Sequence, residues 1–196
     1  MSAKQFHLAW FLQGSSVQAW GEPWTGHIGT TWEQPELFLD MARSLERACF
    51  DYILLEDSSY VGESFGGSTE IYLKNAIAVP RQDPSVVAAL MTQVTSRIGI
   101  VPTFGTYAYH PYLLARLVAT LDQVSGGRIG WNAVTGSSDY AAMNFGMQAC
   151  PSTTCATTWP TSTWRWCASC GARGSRARSL PTARTASWST PPRSMA

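Results

Sequence analysis

The sequence predicts an α/β fold, the N-terminal half of a TIM-type (β/α)8 barrel. Three observations carry this. Four short apolar runs alternate with helical segments, which implies a parallel sheet with crossover helices. The runs are continuously apolar, as strands buried on both faces must be. The link from the first strand to the first helix, 13–33, lacks GxGxxG and is too long for a phosphate-gripping turn, which argues against an open dinucleotide-binding sheet. Four strand–helix units in roughly 150 residues make about half of a barrel.

His7–Leu12 (HLAWFL) is the first strand, stopped at Gly14. Gln34–Phe50 carries apolar residues at helical spacing (Leu37, Leu39, Met41, Ala42, Leu45, Ala48) and opens with Pro35 and acidic residues. Tyr52–Leu55 (YILL) is the second strand. Gly62–Pro80 is Gly-rich and long for a plain connection, as functional or mobile loops are. Asp83 caps a helix that runs from Pro84 through Ser96. Arg97–Val101 (RIGIV) is the third strand. Pro111–Val124 is a helix stopped by Gly126-Gly127. Arg128–Val134 (RIGWNAV) is the fourth strand.

Composition divides the chain at Met147. Residues 1–147 hold all thirteen Asp and Glu and eight of the fourteen Lys and Arg, a formal charge of −5. Residues 148–196 hold six Arg, no Lys or acid, and four of the five Cys. A solvated natural surface needs mixed charge, so this tail is not expected to fold. It reads as an out-of-frame translation. Back-translated with GC-rich codons and read in the adjacent frame, Thr157–Trp164 (TTWPTSTW) gives YDMADEYM, an ordinary acidic helical segment. A natural Arg/Ser/Pro-rich disordered tail is the alternative. The expected domains are therefore 1–147, a half barrel, and 148–196, an out-of-frame, disordered tail.

The acidic balance of 1–147 gives no reason to expect nucleic acid as a partner. No run approaches the roughly 20 apolar residues of a membrane helix, and Met1–Phe6 is polar, so a cytoplasmic protein is expected. Cys167 and Cys170 have CxxC spacing but neither a second pair nor a His nearby, so no metal is expected. His7, His27 and His110 stand apart from one another, and no Ser sits in a GxSxG elbow. Trp20, Trp24 and Trp32 suit either an aromatic lid or plain packing.

Barrel chemistry sits at the C-terminal ends of the strands. Here those ends read Glu56-Asp57-Ser58, Pro102-Thr103-Phe104-Gly105-Thr106 and Asn132-Ala133-Val134-Thr135-Gly136-Ser137. Carboxylate, hydroxyl and amide groups converging on one mouth could grip a flat, polar ligand. Alternatively, Asp57 caps a turn and the Thr hydroxyls satisfy backbone.

Arg116–Met147 (RLVATLDQVSGGRIGWNAVTGSSDYAAMNFGM) and Met41–Ser58 (MARSLERACFDYILLEDS) resemble the flavin-dependent monooxygenases of the bacterial-luciferase superfamily, in the nitrilotriacetate and dibenzothiophene-sulfone monooxygenase branch. The likeness covers nearly all of residues 6–147. It implies a luciferase-like barrel and reduced FMN supplied by a separate NAD(P)H:flavin reductase. It also implies O2 and a small organic molecule as substrates, and a homo-oligomer at full length. It assigns flavin contacts to Asp57, Thr103, Asn132, Thr135 and Ser137; it leaves the catalytic residue unknown. The family also has a His and a Tyr four residues apart after NFG. The adjacent frame holds them as HDLRY, whereas the written chain reads STTCAT at Ser152–Thr157. The rival readings are a deazaflavin-dependent oxidoreductase of the same superfamily and a fragment with no activity.

Overall fold

The computed structural model describes residues 6–13, 33–64, 66–75, 79–136 and 138–151. Four strands, β1 (Ala9–Gln13), β2 (Tyr52–Glu56), β3 (Gly99–Gly105) and β4 (Asn132–Val134), form one sheet in the order β1-β2-β3-β4. Every pairing is parallel. Parallel neighbours in sequence order, each joined to the next through a helix, are successive staves of a barrel wall. The helices are α1 (Glu36–Arg47), α2 (Glu70–Lys74), α3 (Pro84–Thr92), α4 (Pro111–Ser125) and α5 (Asp139–Met143).

The two faces of the sheet differ because side chains alternate along each strand. Leu12, Ile53, Leu55 and Ile100 point toward the helices and pack against Phe38, Ala42 and Leu45 of α1 and Val87, Ala88 and Met91 of α3. Phe104 continues that face against Leu114 and Leu121 of α4. The opposite face carries the in-register row Phe11, Leu54, Val101, and beyond it the pairs Gln13–Glu56 and Thr103–Asn132. This is the side that a barrel encloses. Burial of β1 on both faces does not hold among the described residues: Phe11 is 60% exposed, because no described element lies over it.

The local stop and start signals behave as expected. Asp83 accepts a hydrogen bond from the Ser85 amide at 2.8 Å, capping α3 behind Pro84. Gly126 ends α4 in the left-handed region, φ 70°. His110 caps α4 with Nδ1, which accepts from the Tyr112 amide at 3.3 Å. Three expectations need correction. The helix expected to reach Ser96 ends at Thr92. There the Thr92 and Thr95 hydroxyls turn back onto the Ala89 and Met91 carbonyls, and Arg128 takes the last carbonyls. The strand expected from Arg128 narrows to Asn132–Val134 plus an isolated bridge between Ile100 and Ile129. A Cβ at Gly130 would stand 2.8 Å from Val101, so the chains pass too closely there for a regular ladder. The Gly-rich loop holds a five-residue helix, α2.

Two side chains fasten the turn between α3 and β3. The Glu46 carboxylate, at the end of α1, accepts from the amides of Ser96 (2.9 Å), Arg97 (2.8 Å) and Ile98 (3.0 Å). Burial opposes its charge, but these amides and the Ser96 hydroxyl outweigh it and hold the carboxyl down at about 2. A depressed folded value means stability that is present above about 4.5, the ordinary value, and lost as pH falls toward about 2. Glu46→Ala should therefore cost about 2 kcal/mol at pH 7, with the difference from the parent chain shrinking in acid. Urea denaturation at pH 7 and pH 3 checks this; an equal loss at both pH values would contradict it.

Candidate functional site

The C-terminal ends of β2, β3 and β4 meet around one open cavity of about 540 Å3. Glu56, Asp57 and Ser59 line it from β2, Tyr107 from β3, and Thr135 and Ser138 from β4. Strand order alone produces this meeting: three adjacent parallel strands deliver their following loops to the same edge.

Asp57 lies on this wall as expected. Burial pushes its carboxyl above the ordinary aspartate value; the Ser58 amide and Arg81 pull the other way, and Glu56 and Asp83 add to the rise. A carboxyl so placed can donate as an acid or accept as a base. Thr135 also lines the cavity. Thr103 and Asn132 sit one layer deeper on the enclosed face, directly paired in register, and the Asn132 Nδ2 donates to Thr103 Oγ1 at 2.8 Å. Thr103 is 3% exposed. So Asp57 and Thr135 line the cavity, whereas Thr103 and Asn132 are bonded to each other further back along β3 and β4 and do not line it. Ser137 lies outside the described residues, as do His27, Trp20, Trp24, Trp32, Cys167 and Cys170.

Three neighbours complete the surroundings, of which the sequence marks Glu56 as a strand-end candidate. Glu56 is bound by Arg81 Nη1 in a half-buried ion pair. Tyr107 is wedged against backbone: a Cβ at Gly105 or Gly136 would come within 2.8 or 2.7 Å of its ring. Its ring meets Phe145 edge-on at 5.7 Å, and its phenol, raised by burial, bonds Ser59. Asn144 Nδ2 donates to the Ser59 carbonyl at 2.6 Å. The Asn144-Phe145-Gly146 motif thus holds the loop after β2 through Asn144 and packs on Tyr107 through Phe145. The sequence marks that motif, but not what it touches. Past it, the Cys150 amide donates to Asp139 Oδ1 at 2.8 Å.

No group of three or more His, Cys, Asp or Glu suited to a metal occurs among the described residues. No described helix is long and apolar enough to cross a membrane.

Residues 14–160 match the family described as luciferase-like monooxygenase. Dibenzothiophene-sulfone monooxygenase from Rhodococcus erythropolis (strain XP) is 35% identical over 149 residues, covering 74% of this chain and 32% of that protein. Nitrilotriacetate monooxygenase component A from Aminobacter aminovorans is 32% identical over 147 residues, covering 73% of this chain and 32% of that protein. A crystal structure of riboflavin lyase, with modified FMN and its substrate riboflavin, superposes with a TM-score of 0.72 at 27% identity, covering 83% of this chain and 37% of that one. The chain thus spans about a third of the length of the relatives it matches, and its four parallel strands are part of a barrel. By this match, and by a polar cavity at the strand ends where such barrels do their chemistry, the chain belongs to the luciferase-like monooxygenase family.

Proposed function

We propose that residues 1–147 are the N-terminal half of a two-component monooxygenase that oxidises a small organic molecule with O2 and reduced FMN. An NAD(P)H:flavin reductase in the cytoplasm supplies the FMN, and the full-length enzyme is a homo-oligomer. The observation that carries this is the cavity at the ends of β2, β3 and β4, with Asp57 and Thr135 among the residues that line it.

These residues fit a flavin. Its ring edge alternates donors and acceptors. A half-buried carboxyl whose proton is held more tightly than usual faces this space. Thr135 adds a hydroxyl on the cavity wall, and Asn132, bonded to Thr103, offers an amide further along the same strands. When bound, the flavin supplies the electrons that activate oxygen. The chain's part is to bind, to orient, and to keep water out, which the apolar row Phe11, Leu54, Val101 on the enclosed face favours.

Residues 148–196 are, on the same proposal, translated out of frame, so the written chain lacks the His and Tyr that the resemblance places after the NFG motif. Resequencing across codons 140–160 tests that directly. An intact written frame, with no acidic helix encoded beside it, would count against the proposal. For function, oxygen uptake decides. A protein made from the frame-restored gene should consume O2 with NAD(P)H only when a flavin reductase is present, and the 196-residue chain should not. Uptake without the reductase would contradict the two-component reading.

A further inference from the structure

One charged cluster beside the cavity is not explained by ligand contact alone. Glu56, the last residue of β2, is tied to Arg81 Nη1 from the segment entering α3. Both side chains are well covered, Glu56 22% and Arg81 12% exposed. The Nε of Arg81 is buried and has no partner. The guanidinium is thus committed on one side to Glu56 and holds a donor in reserve on another. Asp57 follows Glu56 directly, and Arg81 is the cation among the described residues whose charge acts on it.

We propose that Arg81 is a positioning residue of the site: it fixes Glu56 at the cavity wall and, through its charge, governs the form in which Asp57 meets a ligand. This deepens the flavin-site reading and rests on it only for the identity of that ligand.

The groups around Asp57 come from three segments. Glu56 and the Ser58 amide are its own neighbours; Arg81 and Asp83 approach from the entry to α3. The phenols of Tyr107 and Tyr109, after β3, both lie within the field of Asp57. Two carboxyls, Glu56 and Asp57, therefore share one guanidinium. With Arg81 gone, Glu56 and Asp57 have no countercharge, and one carboxyl must keep its proton to higher pH. With the Glu56 charge gone instead, the guanidinium acts undivided on Asp57 and favours its ionised form. The two changes should move Asp57 in opposite directions. A merely structural tie between β2 and α3 would lower stability in both variants and produce no such opposition.

The test uses the full 196-residue chain without flavin. Aspartate is labelled with 13C at the carboxyl, the Asp57 resonance is assigned with Asp57→Asn, and its titration is followed by NMR. The Asp57 midpoint should rise by roughly one pH unit in Arg81→Met and fall in Glu56→Gln, with Arg81→Lys between Arg81→Met and the parent. If Arg81→Met loses its dispersed spectrum, Arg81→Lys and Glu56→Gln carry the comparison. Shifts of the same sign, no shift in either, or Asp57 titrating as an ordinary aspartate throughout would each overturn the proposal. Because no flavin is added, a failure to bind flavin would count against the function and leave this result standing.

Discussion

Arg128→Met should destabilise the chain by about 3–5 kcal/mol, the largest stability loss expected of any single change here. The guanidinium makes five hydrogen bonds. Nε donates to the Ser125 carbonyl at 2.9 Å, Nη1 to Thr95 Oγ1 and the Ile98 carbonyl at 3.0 Å, and Nη2 to the Thr92 (2.9 Å) and Thr95 (3.0 Å) carbonyls. It joins the C-terminal end of α3 to that of α4 and to the start of β3. Burial lowers its ordinary value, and Glu46 on the other side of the same turn opposes that fall. A methionine would fill the space but leave several carbonyls under-satisfied at a covered position. Arg128→Lys should recover only part of the loss, because one ammonium cannot reach acceptors in so many directions. Guanidinium denaturation of the three chains gives the comparison. A loss below about 1 kcal/mol for Arg128→Met would show that water replaces these bonds freely.

The second large effect is on the ligand. In a frame-restored protein, Asp57→Ala should weaken reduced FMN by about 1–3 kcal/mol, roughly 5- to 150-fold in Kd. The carboxyl sits on the cavity wall in a half-buried position, so its loss leaves flavin polar groups without a partner and without easy access to water. Asp57→Asn should weaken binding less than Asp57→Ala, since the amide keeps the size and the hydrogen-bonding capacity of the side chain. Equal weakening by Asn and Ala would mean that the ionised carboxylate is the binding form.

Local signals were legible in the sequence; distant ones were not. Asp83 before Pro84 and Gly126-Gly127 after the last helical repeat act through bonds a few residues away, so their spacing announces them. Thr103 and Asn132 are side by side in register, but within the strands rather than at their C-terminal ends, since Asn132 opens β4 and Thr103 lies inside β3. Glu46 and Arg128 gave no such sign. Their partners lie 50 to 52 and up to 36 residues away, and nothing in an acid near a helix end or an Arg after two glycines specifies them. Arg128 belongs to the most family-specific stretch of the chain, yet its guanidinium braces α3 and α4 rather than lining the cavity. Tyr107 was missed for a related reason. Its place depends on Gly105 and Gly136 leaving room for its ring from two separate strands. The same limit explains β4: its bridge at Ile129 depends on the close pass of Gly130 against Val101, which periodicity does not record.

Titration with anaerobically reduced FMN tests the central claim most directly. The frame-restored protein should bind it with a Kd of about 1 μM or tighter, near −8 kcal/mol, and the 196-residue chain should show no saturable binding, lacking the His–Tyr pair and the rest of the barrel wall. No binding by the restored protein, or a clear preference for a deazaflavin, would contradict the monooxygenase assignment; tight binding by the 196-residue chain would contradict its proposed incompetence.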